Sequence, residues 1–109
     1  MLVKLPEAVG HYFDAANARD ADGVCAVFLS DAVVRDEGRD RSGLAEIREW
    51  TEETGLSFQP VVEPLDSEPF GDQTIVRCKV SGDFPGSPVT LRHTFTLRDG
   101  RIARLEITG

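Results

Sequence analysis

The chain has 109 residues, 40% of them hydrophobic and 28% charged, with a formal net charge of −7. That length predicts one domain, residues 1–109, around one core, and the composition is that of a soluble globular protein. The acidic balance argues against nucleic acid and anionic membrane as partners, because both present phosphates that repel it.

No apolar run approaches the roughly 20 residues of a membrane span. The opening MLVKLPEAVG lacks the apolar core and small-residue cleavage site of a signal peptide, so a cytoplasmic location is expected. Cys25 and Cys78 fall at apolar positions without C-x-x-C spacing or a histidine neighbour suited to zinc. Buried free thiols are expected there, and no metal site.

Leu5, Val9, Tyr12, Phe13 and Ala16 recur at helical spacing, which predicts a first helix from about Pro6 to Ala18 with Tyr12 on its apolar face. Pattern alone favours a core tyrosine bonded to a nearby acceptor. Asp20 reads as the N-cap of a second helix that carries Val24, Val27 and Phe28 inward and ends near Ser30-Asp31. A strand from Ala32 to Glu37 follows, with Val34 and Asp36 on one face. An inward carboxylate is costly unless paired or protonated. Asp36 therefore either serves chemistry, bonds Arg39 or Arg41 across a tight turn, or ends the strand in solvent.

The run RDEGRDRSG alternates charge around Gly38 as a solvated hairpin does. Ser42 is placed to cap a third helix with Leu44, Ile47, Trp50 and Thr51 inward and Gly55 as its stop. Trp50, the only tryptophan, suits a core or a cavity wall.

From Leu56 the texture becomes that of strands. Pro60, Pro64 and Pro69 fit a bulged or edge strand. Thr74–Ser81 puts Val76, Cys78 and Val80 on one face, and residues 82–88 form a loop. Val89–Arg98 alternates cleanly, with Val89, Leu91, His93, Phe95 and Leu97 on one side and Thr90, Arg92, Thr94 and Thr96 on the other. Asp99-Gly100 is the strongest hairpin signal, and the last strand is expected to turn Ala103, Leu105 and Ile107 to one face. Three helices and a mostly antiparallel sheet that must cover each other's apolar faces make an α+β fold.

The stretch YFDAANARDADGVCAVFLSDAVVRDEGRDRSGLAEIREW resembles the nuclear transport factor two-like superfamily, and within it the ketosteroid isomerases and SnoaL-like polyketide cyclases. The resemblance is carried by a helix-one tyrosine, N-A-x-D-x-D-G at the first turn, F-x-x-D-A-V leading into strand one, R-S-G-x-x-x-I-R before helix three, and H-x-F-x-L-x-D-G-R-I at 93–102. It implies a cone-shaped, curved, mostly antiparallel sheet wrapped around three N-terminal helices, a cystatin-like roll with an apolar pocket. In the isomerases a tyrosine at the place of Tyr12 donates to the developing enolate oxygen, and an aspartate at the place of Asp36 moves the proton between carbons.

His93 stands at the strand position of their second oxyanion donor. An imidazole can donate a hydrogen bond there or act as acid or base. A buried core histidine meets the same pattern. Tyr12 is the only tyrosine, so the hydrogen-bonded tyrosine chain of many isomerases is absent, and Glu37 stands where they often carry proline.

The resemblance implies an isomerase, cyclase or dehydratase that abstracts a proton alpha to a carbonyl, with Tyr12, Asp36 and His93 as catalytic residues. Trp50, Phe28, Phe58, Phe84 and Phe95 are expected to contact substrate. No cofactor is expected, since acid–base catalysis with oxyanion donors supplies the chemistry. The expected partners are a small hydrophobic carbonyl compound and a second copy of the chain, the latter across the threonine and arginine face of Val89–Arg98. The alternative is a non-catalytic module of the same fold that binds small hydrophobic ligands or dimerises.

Overall fold

A computed structural model describes residues 4–109. In chain order the elements are α1 (Glu7–Asn17), α2 (Ala21–Ala26), β1 (Phe28–Asp36), β2 (Arg39–Ser42), α3 (Gly43–Phe58), β3 (Val61–Phe70), β4 (Gln73–Ser81), β5 (Val89–Arg98) and β6 (Arg101–Thr108). The strands form one curved, open sheet in the order β2-β1-β6-β5-β4-β3. Every neighbouring pair is antiparallel except β1 and β6, which run parallel. The fold is α+β, with the helices on the concave side of the sheet. No helix among the described residues is long and apolar enough to cross a membrane.

α3 packs on β1 and β2, α1 packs on β3 and β6, and α2 bridges the two longer helices. The core lies between α1, α3 and the concave face, where Val9, Val34, Ile47, Val76, Phe95 and Leu105 are fully buried. Burying side chains of this size contributes about 1.5–3 kcal/mol each.

Three boundaries differ from the sequence expectation. α2 ends at Ala26, about four residues early, and Val27 and Phe28 leave the helix. β6 captures the chain at that point: the Ile102 N–H donates to the Val27 carbonyl at 2.9 Å, and Phe28 pairs with Ile102. β1 thus starts at Phe28 rather than Ala32, with a bulge before Val33.

α3 continues through Gly55 to Phe58, and Gln59 takes the left-handed conformation (φ 46°) with its N–H on the Gly55 carbonyl at 3.1 Å. Pro60 enforces the stop, since the residue before proline avoids the helical region. Ser42 is the residue before α3, but its side chain makes no cap. Its N–H donates instead to Glu46 Oε1 at 2.9 Å. In β6 an irregularity opposite Thr96 and Leu97 leaves Ala103 out of register, so Ile102 joins Leu105 as a fully buried residue.

β3 is the proline-bearing edge strand that the sequence predicts, bulged between Pro64 and Asp66. Asp99 (φ 54°) and Gly100 (φ 76°) form the expected two-residue hairpin with both centres in the left-handed region. Cys78 is buried and Cys25 only half-buried, and both are free thiols.

Candidate functional site

The curved sheet, α1 and the C-terminal half of α3 enclose a cavity of about 1210 Å³. Tyr12, Asp36 and His93 all line it, and so do Trp50, Phe58 and Phe84. Leu56, 84% exposed, stands at its mouth beside Phe58. Phe84 meets Phe58 edge-on at 6.2 Å, and the Asp83 N–H donates to the Phe58 carbonyl at 2.7 Å. The β4–β5 loop is thereby tied to the end of α3.

Strand register explains the convergence. Asp36 pairs with Ile107, Ile107 pairs with His93, and Arg39 lies opposite Asp36. These four residues form one row across the concave face, and all four line the cavity. One strand separates Asp36 from His93, which sets their Cα atoms about 10 Å apart at ordinary strand spacing. The two side chains therefore flank a space rather than pair with each other.

Tyr12 reaches the cavity from α1 and is 4% exposed. Its ring stands edge-on to Phe13, Phe28 and Phe95 at 5.3, 6.0 and 5.5 Å. Burial, reinforced by the Asp36 charge and the Cys78 thiol, pushes the phenol above its usual value. It remains a neutral hydroxyl and a hydrogen-bond donor.

His93 is 3% exposed, stacked on Phe95 at 6.2 Å and tilted against Phe13 at 5.6 Å. Burial lowers its pKa from 6.5 to about 4, so the imidazole is neutral at neutral pH. Its Nδ1 is fully buried without a hydrogen-bond partner among the described residues. Such an atom is uncommon in a settled core and calls for an explanation.

Asp36 is half-buried at the end of β1, and its Oδ2 accepts from Trp50 Nε1–H at 3.1 Å. The cross-turn partners that sequence allowed for Asp36 are not used: Arg41 pairs with Glu53 at 3.3 Å, and Arg39 makes no ion pair among the described residues. Trp50 thus has both roles open to it, core packing at 7% exposure and a wall of the cavity.

Two expected substrate contacts lie elsewhere. Phe28 and Phe95, 2% and 0% exposed, sit in the core beneath Tyr12 and do not line the cavity. The row below Asp36 runs Arg41, Val34, Leu105, Phe95, so Phe95 belongs to the packed end of the sheet. Phe28 is drawn there by its pairing with Ile102. Both buttress the Tyr12 ring.

Arg39, Arg41 and Glu53 line the cavity and went unnoticed as lining residues in the sequence. A signal was present. The two-residue Glu37-Gly38 turn sets 39 opposite 36 and 41 opposite 34, which fixes both arginines on the face of Asp36.

A curved sheet closing over three helices around such a cavity defines a member of the nuclear transport factor two-like superfamily. The chain belongs to the SnoaL-like domain family, whose model matches residues 9–105. It is similar to SMa1630, a candidate polyketide cyclase from Sinorhizobium meliloti, at 50% identity over 95% of each chain with a TM-score of 0.93. Two more distant structures share the fold. A Catenulispora acidiphila protein with a ketosteroid isomerase-like fold, solved with trimethylamine, is 18% identical with TM-score 0.85 over 97% of this chain and 87% of its own. TerC, co-crystallised with polyporic acid, is 21% identical with TM-score 0.79 over 93% of this chain and 87% of its own. No curated protein matches the chain.

Proposed function

We propose that the protein is a small-molecule isomerase, cyclase or dehydratase that abstracts a proton alpha to a carbonyl in its cavity. The observation that carries this reading is the row Asp36–Ile107–His93 with Tyr12 above it. A carboxylate and two neutral donors face one space from different elements.

Asp36 takes the alpha proton, and the electron pair moves onto the carbonyl oxygen. Tyr12 O–H and His93 Nε2–H donate to that developing enolate oxygen. Trp50 holds Oδ2 of Asp36 and keeps the carboxylate from rotating out of reach. The held proton then returns to a different carbon in isomerisation, or leaves with a β-hydroxyl in dehydration. In cyclisation the enolate carbon attacks a second carbonyl, whose π electrons pass to its oxygen, and that oxygen takes the held proton.

Resemblance to a candidate polyketide cyclase at 50% identity favours a polyketide-like β-ketone as ligand. The small-ligand complexes of the two distant structures are in keeping with a cavity that admits organic molecules. No cofactor enters this chemistry.

We place the protein in the cytoplasm, as a homodimer across the outer face of β5, where Thr90 and Arg92 are exposed. Light scattering that finds one chain per particle at high concentration would remove the dimer and leave the site intact. The test of the reaction is a panel of β,γ-unsaturated ketones and polyketide-like β-ketones. Product formation that stops with Asp36→Asn supports the reading. Tight binding without product across the panel makes the protein a carrier of the same fold.

A further inference from the structure

We propose that the ligand carries an anionic oxygen group, such as a carboxylate, on the far side of its alpha carbon from the carbonyl, and that Arg39 and Arg41 hold it. The orientation of the carbonyl end rests on the reading of Asp36 and His93 above. The anion site rests on separate observations.

The Glu37-Gly38 turn, with both residues at positive φ (54° and 73°), fixes the β1–β2 register. Residues directly opposite in an antiparallel pair project from the same face. Arg39, opposite Asp36, and Arg41, opposite Val34, therefore enter the cavity face together, and both line it. Along the row the order is Arg39, Asp36, Ile107, His93. A carbonyl near His93 with its alpha carbon over Asp36 directs the remainder of the ligand at Arg39.

Arg41 is the more telling of the two. Its side chain is 14% exposed, yet its only ion pair among the described residues is a single contact from Nη2 to Glu53, whose own side chain is 54% exposed. A guanidinium has five N–H donors in a planar fork suited to two oxygens at once. One contact leaves most of that fork for an acceptor in the space it borders. Glu53 meets Arg41 through one nitrogen, and Arg39 has no ion pair among the described residues. The other carboxylates lining the cavity are Asp36, opposite Arg39 and held by Trp50 Nε1–H, and the exposed Glu37 and Glu52. On a chain of net charge −7, a local pair of cations offsets the overall field that disfavours an anion.

The probe is 4-oxo-4-phenylbutanoate, compared with its methyl ester. Its phenyl ketone, alpha methylene and carboxylate follow the order of the row, and the ester removes the charge while adding one methyl group. Binding is read by calorimetry, and alpha-proton exchange in deuterated water is read on the same samples by NMR. The acid should bind about tenfold or more tightly than the ester, the range of a charge-assisted pair. That preference should shrink with added salt. It should vanish in the Arg39→Gln/Arg41→Gln protein with ester affinity unchanged. Should Arg41→Gln fail to fold, Arg39→Gln alone should reduce the preference, since Arg39 is exposed.

Equal affinity for acid and ester, no binding of the acid at millimolar concentration, or a preference that survives the substitutions contradicts the proposal. Preference for the acid without alpha exchange keeps the anion site and removes the proton chemistry. Exchange on both ligands at equal affinity does the reverse.

Discussion

At the scale of single residues, burial leaves Tyr12 and His93 in the same state by opposite shifts: it raises the phenol and lowers the imidazole, so both are neutral donors. His93 makes this measurable. Its pKa falls from 6.5 in the unfolded chain to about 4 when folded, so between those values the unfolded chain holds more protons. The stability His93 contributes is full above the upper value and is lost as pH falls through the lower one. Across the whole window the loss amounts to about 3 kcal/mol. Urea unfolding at neutral pH and near the lower end of the window should show this loss, and His93→Gln should flatten it. An equal slope in both proteins would mean that His93 is not the buried, neutral group described here.

Among the elements, α2 is the shortest helix, at six residues, and it depends on its cap. The Asp20 side chain accepts from the Gly23 N–H at 3.0 Å, and the Asp20 N–H donates to the Ala15 carbonyl at 2.9 Å. Asp20→Ala should cost about 1 kcal/mol. Gly23→Ala should act on the same cap, because a Cβ there would lie 2.6 Å from Asp20 Oδ2 and 3.0 Å from the Ala15 Cβ. The double variant should therefore lose less than the sum of the singles, as denaturation midpoints will show. Elements whose residues decide their own conformation were legible in the sequence: the Tyr12 face of α1, the Asp20 cap, the alternation of β5 and the Asp99-Gly100 turn. The misplaced edges share one cause. The Phe28-Leu29-Ser30 segment continues a helical pattern locally, and only its pairing with β6, far along the chain, makes it strand. The Ala103 irregularity is likewise a property of β5 and β6 together. Phe95 lies off the cavity because inward parity tells which face a side chain takes but not how far along the sheet the cavity begins, and Phe28 lies off it because strand pairing with Ile102 removes it from the expected helix.

In the molecule as a whole, sheet register brings the candidate site residues together. Asp36 and His93 lie 57 positions apart in the sequence and become near neighbours only because β6 runs between them, parallel to one partner and antiparallel to the other. α1 closes the same space with Tyr12, and Asn17 at its end exchanges two hydrogen bonds with the Val62 backbone, each 2.8 Å, which fixes the helix to β3. The convergence of Tyr12, Asp36 and His93 was readable only through family resemblance, since each residue alone suits an ordinary core. The proposed proton abstraction is tested most directly by following the alpha protons of a bound ketone in deuterated water by NMR, with affinity determined on the same samples. Wild-type protein should exchange them, and Tyr12→Phe should slow exchange by about 10²–10³ with the fold retained. Asp36→Asn should abolish exchange while ligand still binds. Exchange in Asp36→Asn at the wild-type rate, or a tightly bound ketone that wild-type protein leaves unexchanged, would contradict the account.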